Sequence, residues 1–312
     1  MTHVLVTGGA GYLGSTLVPA LLDRGFAVTV VDNFMYDQPS LAAVCHHAAL
    51  SIVRGDVRSK ETMRPLVARA DIIIPLAARV GAPLCDRDPL AATSTNVQAI
   101  ADMIEALSPQ QRVLMPVTNS GYGIGQRDTL CTEESPINPV SLYGRNKVDA
   151  ERILLDRHPA AISFRLATVF GMSPRMRLDL LVNDFTYRAC MDRFIVLFES
   201  HFKRNFIHVR DVARAFLHGI DRFDAMKGQV YNVGLSDANI SKLELCQRIQ
   251  QQVPSFVFLE SPVGADPDKR DYIVSNEKIE RTGYRPAVSL DEGIRELLKG
   301  YSMIRSTRYA NA

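Results

Sequence analysis

Gly8–Gly14, GGAGYLG, lies between a short apolar run and a longer amphipathic one. His3–Thr7 before it has the apolar and β-branched residues of a buried strand, and the apolar residues of 15–22 recur at helical spacing. The pattern predicts a strand, a tight turn and a helix. Glycines permit positive φ in such a turn and let the backbone approach a phosphate at the helix N-terminus. Glycines required only for packing are the alternative.

The second buried strand, Ala27–Val31, is followed directly by Asp32. A carboxylate at this place accepts hydrogen bonds from both ribose hydroxyls of an adenosine and repels a 2′-phosphate. No arginine occurs in residues 33–35 to attract that phosphate. The sequence therefore predicts NAD, rather than NADP, as the cofactor.

A motif much further along the chain is Tyr143–Lys147, YGRNK, which puts the lysine one helical turn beyond the tyrosine. A phenol titrates at about pH 10, so it needs a nearby positive charge to act as a base near neutrality. Lys147 can supply that charge and bind the nicotinamide ribose, which makes Tyr143 a candidate general base. An ordinary surface pair is the alternative. Thr118–Ser120 favours catalysis because it ends an apolar strand, 113–117, where doubly wound sheets place their chemistry.

These motifs, in this order, resemble the extended short-chain dehydrogenase/reductase family of NAD-dependent nucleotide-sugar epimerases and dehydratases. The resemblance runs almost end to end. Further similar segments are Gly55–Val57 (GDV), Leu76–Ala78 (LAA), the TNV context of Asn96, Thr118–Gly123 (TNSGYG), Phe164–Gly171 (FRLATVFG) and Arg204–Ala213 (RNFIHVRDVA). The resemblance implies an α/β fold with a Rossmann-type doubly wound parallel sheet and a smaller, discontinuous α/β substrate lobe.

The border between the two parts is expected where the sequence pattern changes. Strand and helix patterns alternate to about residue 170, and from Met172 an arginine-containing segment leads into a helix expected around 178–191. We predict that residues 1–171 and 205–235 form the NAD-binding Rossmann domain. Residues 172–204 and 236–312 would form the nucleotide-sugar-binding lobe.

The resemblance also implies roles for individual residues. Catalysis is expected from Thr118, Tyr143 and Lys147. Cofactor binding is expected from Gly8, Gly11, Tyr12, Leu13, Asp32, Asn33, Asp56, Val57, Leu76, Ala77, Ala78, Asn96, Tyr143 and Lys147. Substrate binding is expected from Thr118, Asn119, Ser120, Arg175, Arg177, Asn183, Arg204 and Arg270. Arg204 is expected at the substrate diphosphate, and Arg175 and Arg177 are candidates because guanidinium pairs bidentately with phosphate.

A closer resemblance concerns the sugar. Segments similar to those of bacterial nucleotide-heptose C4 dehydrogenases and C4 epimerases are Leu76–Cys85, Thr118–Gly125, Ser173–Phe185 and Asp266–Tyr272. They are unusual within the wider family and imply a substrate with a longer side arm than a hexose. An ADP- or GDP-heptose is the favoured partner.

Three reactions can follow oxidation of such a sugar at C4. Return of the hydride to the opposite ring face gives a 4-epimerase, loss of water gives a 4,6-dehydratase, and release of the keto sugar gives a 4-dehydrogenase. Dehydratases of the family carry an acid pair directly after the triad threonine, where this chain has Asn119 and Ser120. Dehydration is therefore disfavoured, and the other two reactions stay open. A non-catalytic NAD(H)-binding regulator is a further alternative, although such proteins commonly lack the Tyr or Lys that this chain has.

The composition limits the remaining classes. A chain of 312 residues that is 46% hydrophobic can bury the core of a two-lobed enzyme. The net charge of +2 and the lack of a basic run give no case for nucleic acid binding. The five cysteines lack metal-ligand spacing, so no metal site is predicted. Without a signal peptide or an apolar stretch of about 18 residues, a cytoplasmic protein with no membrane partner is expected.

The expected assembly rests on two amphipathic stretches, 87–107 and 141–157. In the family that the chain resembles, the corresponding helices pack against their copies as a four-helix interface. We therefore expect a homodimer or a homotetramer.

Overall fold

The computed structural model describes residues 1–126, 129–263 and 270–304. The strands are β1 (His3–Thr7), β2 (Ala27–Asp32), β3 (Leu50–Arg54), β4 (Ile72–Pro75), β5 (Arg112–Thr118), β6 (Leu130–Cys131), β7 (Ala161–Leu166), β8 (Thr168–Phe170), β9 (Phe194–Phe198), β10 (Lys203–His208), β11 (Gln229–Val233), β12 (Asn239–Ser241), β13 (Val257–Ser261) and β14 (Ile273–Val274). The α-helices are α1 (Gly14–Asp23), α2 (Lys60–Val67), α3 (Ala82–Arg87), α4 (Pro89–Thr93), α5 (Ala99–Glu105), α6 (Leu142–Arg157), α7 (Leu181–Met191), α8 (Val209–Asp221), α9 (Phe223–Met226), α10 (Lys242–Gln252), α11 (Glu277–Arg281) and α12 (Leu290–Tyr301). Short 3₁₀ turns occur at Ala42–Val44 and Asn119–Tyr122, and a π-helical turn, Ser94–Gln98, joins α4 to α5. Residues 266–269 of the expected heptose segment lie outside the described residues.

The main sheet has seven parallel strands in the order β11-β7-β5-β4-β1-β2-β3. The chain runs outward from β1 to β3 and then crosses back to β4, so the direction of winding reverses between β1 and β4. This is the doubly wound order, and the predicted Rossmann-type fold is confirmed.

Side chains of the main sheet alternate between two apolar layers. Val4 and Val6 of β1 belong to the layer that contains Leu17 of α1 and Phe216 of α8. Leu5, between them, belongs to the opposite layer with residues of α2, α5 and α6. Because helices cover both faces, the strands are apolar on both sides, which explains their uninterrupted apolar runs.

A second apolar cluster holds the smaller lobe together. It joins α7, α10 and α12 and includes Val182, Leu245 and Leu297. Two small sheets accompany it: β12-β10-β8 and the parallel pair β13-β9. The helix predicted around 178–191 begins at Leu181.

The segment 205–235 contributes to both parts. Residues 205–208 belong to β10, which pairs with β8 and β12 and not with the main sheet. By contrast, β11 pairs with β7 at the edge of the main sheet, and α8 packs against α1. Residues 205–208, which the prediction gave to the Rossmann domain, therefore pair outside the main sheet, and the division into two domains stays a prediction.

A cavity of about 870 Å³ opens at the carboxyl ends of the parallel strands. One side, which we call the sheet wall, is formed by residues that end or follow β1, β2, β3, β4, β5 and β7, together with the first turns of α6. The other side, the lobe wall, is formed by Arg175, Arg177, Asp179, Leu180, Leu181, Asp184, Arg204, Lys242 and Arg270. A ligand site at the reversal of winding is the usual one for this architecture.

Candidate active site

The glycine turn after β1 is fixed by close backbone contact. Gly8 has φ +67°, and a Cβ added to it would lie 2.6 Å from the backbone nitrogen of Ala77. A Cβ on Gly14, the first residue of α1, would lie 2.5 Å from the Cα atom of Gly9. Only glycine fits these two positions, so the turn stays narrow and leaves the first N–H groups of α1 accessible to a phosphate.

Asp32 ends β2 with its carboxylate held at the sheet wall. One carboxylate oxygen accepts a hydrogen bond from the Ala10 N–H at 3.0 Å, and the other accepts from the Phe34 N–H at 2.8 Å. Each oxygen has a second lone pair, so the fixed carboxylate can also accept from ribose hydroxyls. Asp56 lines the cavity nearby, and its hydrogen bonds from Arg58 lower the pKa of its carboxyl group.

The three predicted catalytic residues meet at the sheet wall. Ser141 caps α6 by accepting a hydrogen bond from the Gly144 N–H at 3.1 Å, which fixes the first turn that carries Tyr143. Thr118 ends β5, and its hydroxyl donates to the Ser120 hydroxyl at 2.9 Å and is near enough to the Tyr143 phenol to lower its pKa. Lys147 follows one turn later and lines the same cavity. Strand β5 and helix α6 thus bring together the groups that the sequence separates.

The environment of Tyr143 favours the neutral phenol. Burial raises the pKa of Tyr143 to about 12, and the strongest opposing charges are the guanidinium groups of Arg177 and Arg270. The nearby Thr118 hydroxyl also lowers this pKa. The sequence analysis expected Lys147 to supply the main positive charge, whereas in the structure the largest contributions come from two arginines of the lobe wall.

Lys147 is only 5% exposed. Burial lowers the pKa of its ammonium to about 8, against the attraction of Glu151 one turn further along α6. Glu151 is itself paired with Arg165 at 2.6 Å. Since the pKa stays above neutrality, Lys147 is mainly protonated at pH 7.

Four arginines line the lobe wall: Arg175, Arg177, Arg204 and Arg270. Arg177 forms an ion pair with Asp179. Arg204 donates to the Lys203 carbonyl at 2.9 Å. Arg270 donates to the Ser120 hydroxyl, beside the triad. This wall can therefore bind anionic groups through several guanidinium donors.

Three residues predicted to contact ligands do not line the cavity: Asn96, Asn119 and Asn183. The amide of Asn96 accepts from the Arg79 N–H at 2.8 Å and donates to its carbonyl at 2.9 Å. The amide of Asn183 accepts from the Gly171 N–H at 3.0 Å and donates to the Arg177 carbonyl at 2.8 Å. Both amides hold backbone groups and lie outside the cavity lining, and their roles toward a ligand stay predictions.

Asn119 is fully buried behind the sheet wall. Its side-chain oxygen and nitrogen have no hydrogen-bond partner among the described residues. The adjacent Ser120 does line the cavity. Of the two positions where dehydratases of the family carry acids, only the serine therefore reaches the site.

Tyr36 and Lys242 are among the cavity residues that sequence reasoning missed. Tyr36 lies in the loop that follows Asp32. Its place soon after the predicted ribose-binding residue was the only feature of the sequence that could have pointed to it. Lys242 begins α10 immediately after the capping residue Ser241, and no motif marks it.

No helix among residues 1–126, 129–263 and 270–304 is both long and apolar enough to cross a bilayer. In the same residues, no group of three or more His, Cys, Asp or Glu side chains is placed to hold a metal ion.

Two solved structures have closely similar folds. A UDP-glucose 4-epimerase of Thermotoga maritima with UDP-glucose aligns with a TM-score of 0.82 and 22% identity, covering 97% of this chain and 99% of that one. A UDP-glucuronic acid 4-epimerase of Bacillus cereus in complex with UDP-glucuronic acid and NAD aligns with a TM-score of 0.85 and 21% identity over the same shares of the two chains. At these identities the likeness establishes a common fold.

Sequence comparison gives the family. The low-salt glycan biosynthesis protein Agl12 of Haloferax volcanii is 30% identical over 96% of this chain and 98% of that protein. UDP-glucuronate 4-epimerase 5 of Arabidopsis thaliana is 25% identical over 96% of this chain and 75% of that protein. Residues 4–234 match the model of the NAD dependent epimerase/dehydratase family. The match confirms the predicted enzyme class and NAD as the cofactor: the chain belongs to the NAD-dependent epimerase/dehydratase family.

Proposed function

We propose that the chain catalyses the 4-epimerisation of a nucleotide-activated heptose through oxidation at C4. The observation that carries this proposal is the meeting of Thr118, Tyr143 and Lys147 at the cavity wall, where the Thr118 hydroxyl is near enough to the Tyr143 phenol to lower its pKa. Bound NAD would supply the hydride acceptor for the oxidation and the hydride donor for the reduction. The side chains of the protein transfer the proton and bind the cofactor and the substrate.

Tyr143 is the general base and acid in this proposal. Its phenolate takes the proton of the C4 hydroxyl as the carbonyl forms, and returns it when the hydroxyl is restored, so protons balance over the cycle. The Thr118 hydroxyl orients the reacting oxygen. The positive charges of Arg177 and Arg270 favour the phenolate form, and the Lys147 ammonium binds the ribose next to the nicotinamide.

The cofactor would lie along the sheet wall. Its proposed contacts, all of which line the cavity, are Gly8, Gly11, Tyr12, Leu13, Asp32, Asn33, Asp56, Val57, Leu76, Ala77, Ala78, Tyr143 and Lys147. The lobe wall opposite would take the nucleotide sugar, with Arg204 at its diphosphate.

Elimination of water is disfavoured by the side chains after Thr118. A dehydratase of this family uses an acid pair there, and this chain has the buried Asn119 and the Arg270-bound Ser120. Neither side chain can protonate a leaving hydroxyl near neutral pH. Return of the hydride to C4 and release of the 4-keto sugar are the two outcomes that remain, and the proposal takes the first.

The heptose is supported by the segments that resemble heptose enzymes. Arg79 and Leu84 from the first segment, Ser120 from the second, and Arg177 and Leu180 from the third line the cavity. A cavity of about 870 Å³ lies in the upper part of the range for small-molecule sites. The residues that set these segments apart from the wider family are thus available to contact the sugar.

A second candidate substrate is a nucleotide-activated uronic acid. The observation that favours it is the pair of guanidinium groups, Arg177 and Arg270, whose charges act on the Tyr143 phenol. A carboxylate on C5 of the sugar would pair with such a group, whereas a heptose side arm is neutral. The plant relative named above is a UDP-glucuronate epimerase.

The deciding experiment is incubation of the protein and NAD with ADP-, GDP-, UDP- and dTDP-sugars, including heptoses, hexoses and UDP-glucuronic acid. Mass spectrometry and NMR follow the product, and Tyr143→Phe serves as the inactive control. Unchanged mass with an altered C4 configuration, fastest with a heptose, is the expected result.

Other products would contradict the proposal in distinct ways. A product lighter by two hydrogens identifies a net 4-dehydrogenase, and loss of water identifies a dehydratase. A preference for UDP-glucuronic acid over every heptose replaces the substrate but keeps the reaction. No turnover of any nucleotide sugar, with NAD bound, identifies a regulator.

The proposed active form is a homodimer or homotetramer assembled through α4, α5 and α6. These helices occupy most of the two stretches from which the assembly was predicted. Light scattering at micromolar concentration should give at least twice the chain mass of 34.6 kDa. A monomer under these conditions would contradict the proposal.

A further inference from the structure

Arg175 is a buried cation that forms no ion pair with any residue that the structure describes. It is 2% exposed, and its guanidinium group donates to the Met176 carbonyl at 3.2 Å. The Nε atom and one terminal nitrogen have no hydrogen-bond partner among the described residues, and both are inaccessible to water. Burial lowers the pKa of this guanidinium. Because burial of an unpaired charge is unfavourable, the fold keeps this side chain at the expense of stability.

The position of Arg175 is at the end of the cavity where α1 begins. Its backbone N–H donates to the Ser15 hydroxyl at 3.3 Å, in the first turn of α1. Ser173, two residues earlier, donates to the Tyr12 carbonyl at 2.6 Å. The segment 173–175 is therefore tied to the glycine turn, although it belongs to the lobe wall.

The guanidinium group faces the loop that follows Asp32. Its central carbon lies 3.7 Å from the centroid of the Tyr36 ring, within the range of a cation–π contact. Arg177, two residues further on, is already paired with Asp179. The two arginines of this short segment thus differ: Arg177 has an acidic partner, whereas two donors of Arg175 have no partner among the described residues.

We infer that Arg175 binds the pyrophosphate of NAD, from the side opposite the N-terminus of α1. After a shift of the side chains that cover them, these two donors of Arg175 would meet phosphate oxygens that the helix N–H groups do not reach, and the planar group suits two parallel hydrogen bonds. The sequence analysis assigned Arg175 to the substrate phosphates, and the contacts with Ser15 and Tyr36 favour the cofactor. The inference depends on NAD as the cofactor and not on the identity of the sugar.

Such a contact links cofactor retention to the smaller lobe. An arginine of the lobe wall that covers the pyrophosphate must move before NAD can leave. Slow release suits an enzyme that returns its hydride to the same sugar, because the reduced cofactor has to stay bound between the two half-reactions. The same contact would oppose a dehydrogenase that exchanges NADH at every turnover.

The test is titration calorimetry on protein freed of nucleotide. Arg175→Gln should weaken NAD and ADP-ribose, which both carry the pyrophosphate, by about 10- to 100-fold, the loss expected for a charge-assisted hydrogen bond. Binding of adenosine and of UDP should change less than about threefold. Arg188→Gln, on an exposed arginine paired with Asp184, is the matched control and should leave NAD affinity unchanged.

A second variant keeps the test valid if Arg175→Gln does not fold. Arg175→Lys retains the charge but not the planar pair of donors, and we expect a smaller loss of NAD affinity together with faster NAD release in stopped flow. Unchanged NAD affinity in the folded variants would overturn the inference. Weaker UDP binding with unchanged NAD binding would return Arg175 to the substrate.

Discussion

The sheet wall and the lobe wall of the cavity use different means to hold a ligand. On the sheet wall, Thr118 and Asp32 end parallel strands and are fixed by hydrogen bonds within a few residues or to the adjoining turn. On the lobe wall, arginines extend from loops and from a short sheet and bring positive charge. The sheet wall thus fixes the positions of its side chains, whereas the lobe wall contributes several positive charges. We therefore expect substitutions on the two walls to affect activity and binding differently.

The largest effect should come from the sheet wall. Tyr143→Phe removes the proton acceptor and should lower turnover of the identified nucleotide sugar by ~10²–10⁴-fold, the usual scale for a general acid–base group. The fold and NAD binding should be retained, as judged by circular dichroism and calorimetry. Thr118→Val should slow turnover less, because it removes only the orienting hydrogen bond. Near-normal activity of Tyr143→Phe would exclude Tyr143 as the base.

Substitution of Lys147 measures how much the buried ammonium lowers the free energy of unfolding. Its pKa falls from 10.5 to about 8 on burial, so the unfolded chain holds this proton more tightly than the folded one. Stability should therefore rise as the pH increases from about 8 to 10.5. At pH 7, Lys147→Met should stabilise the protein without cofactor by about 3 kcal/mol, and the difference should shrink above pH 8.

Denaturant unfolding of both proteins at pH 7 and pH 10 measures this difference. A less stable Lys147→Met protein at pH 7 would mean that the ammonium is stabilised in the fold. The variant should also bind NAD more weakly, since it has lost the ribose contact.

Asp32 tests whether a fixed carboxylate sets the cofactor preference. Asp32→Ala should lower NAD affinity by about 10- to 100-fold and narrow the gap to NADP, because it removes both hydrogen bonds and charge repulsion. Asp32→Asn keeps an oxygen that can accept from the Ala10 N–H and isolates the charge. Calorimetry with both cofactors gives the comparison. Equal binding of NAD and NADP by the unsubstituted protein would overturn the assigned role.

The smallest expected effect concerns the charge of the lobe wall. Arg270→Gln removes a cation that lowers the pKa of Tyr143, so that pKa should rise. The ascending limb of the kcat profile should move about one unit toward alkaline pH. Arg204→Gln should raise KM without moving the limb, because Arg204 is not among the charges acting most strongly on Tyr143. Identical shifts in both variants would mean that the lobe wall acts only through overall charge.

The sheet wall could be predicted from the sequence because its signals are local. The glycine turn, Asp32 at a strand end, and Tyr143 with Lys147 on one helix turn all depend on neighbours along the chain. Asn183 shows the limit of this reasoning: its type and segment suggested a ligand contact, yet its amide bonds Gly171 and Arg177 behind the wall. The orientation of a polar side chain depends on packing between segments that are distant in sequence. The spacing of residues in a motif does not determine it.

The charges around Tyr143 illustrate the same limit. Helical spacing pointed to Lys147 as the main influence on the phenol, but Arg177 and Arg270 lie far away in sequence and come near it only through the tertiary fold. Tyr36 was missed for a similar reason, because its partner Arg175 comes from the other wall.

The contact between Gly8 and Ala77 restricts how the cofactor site can diverge in evolution. The backbone segments at Gly8 and Ala77 cannot separate without disturbing the pairing of β1 and β4. The turn therefore leaves no room for a side chain at Gly8. The loop after Asp32 is different, since Asn33, Met35 and Asp37 are exposed there and can be exchanged without repacking a core. In relatives of this chain that evolved to accept another nucleotide cofactor, we expect substitutions at these loop positions and an unchanged glycine turn.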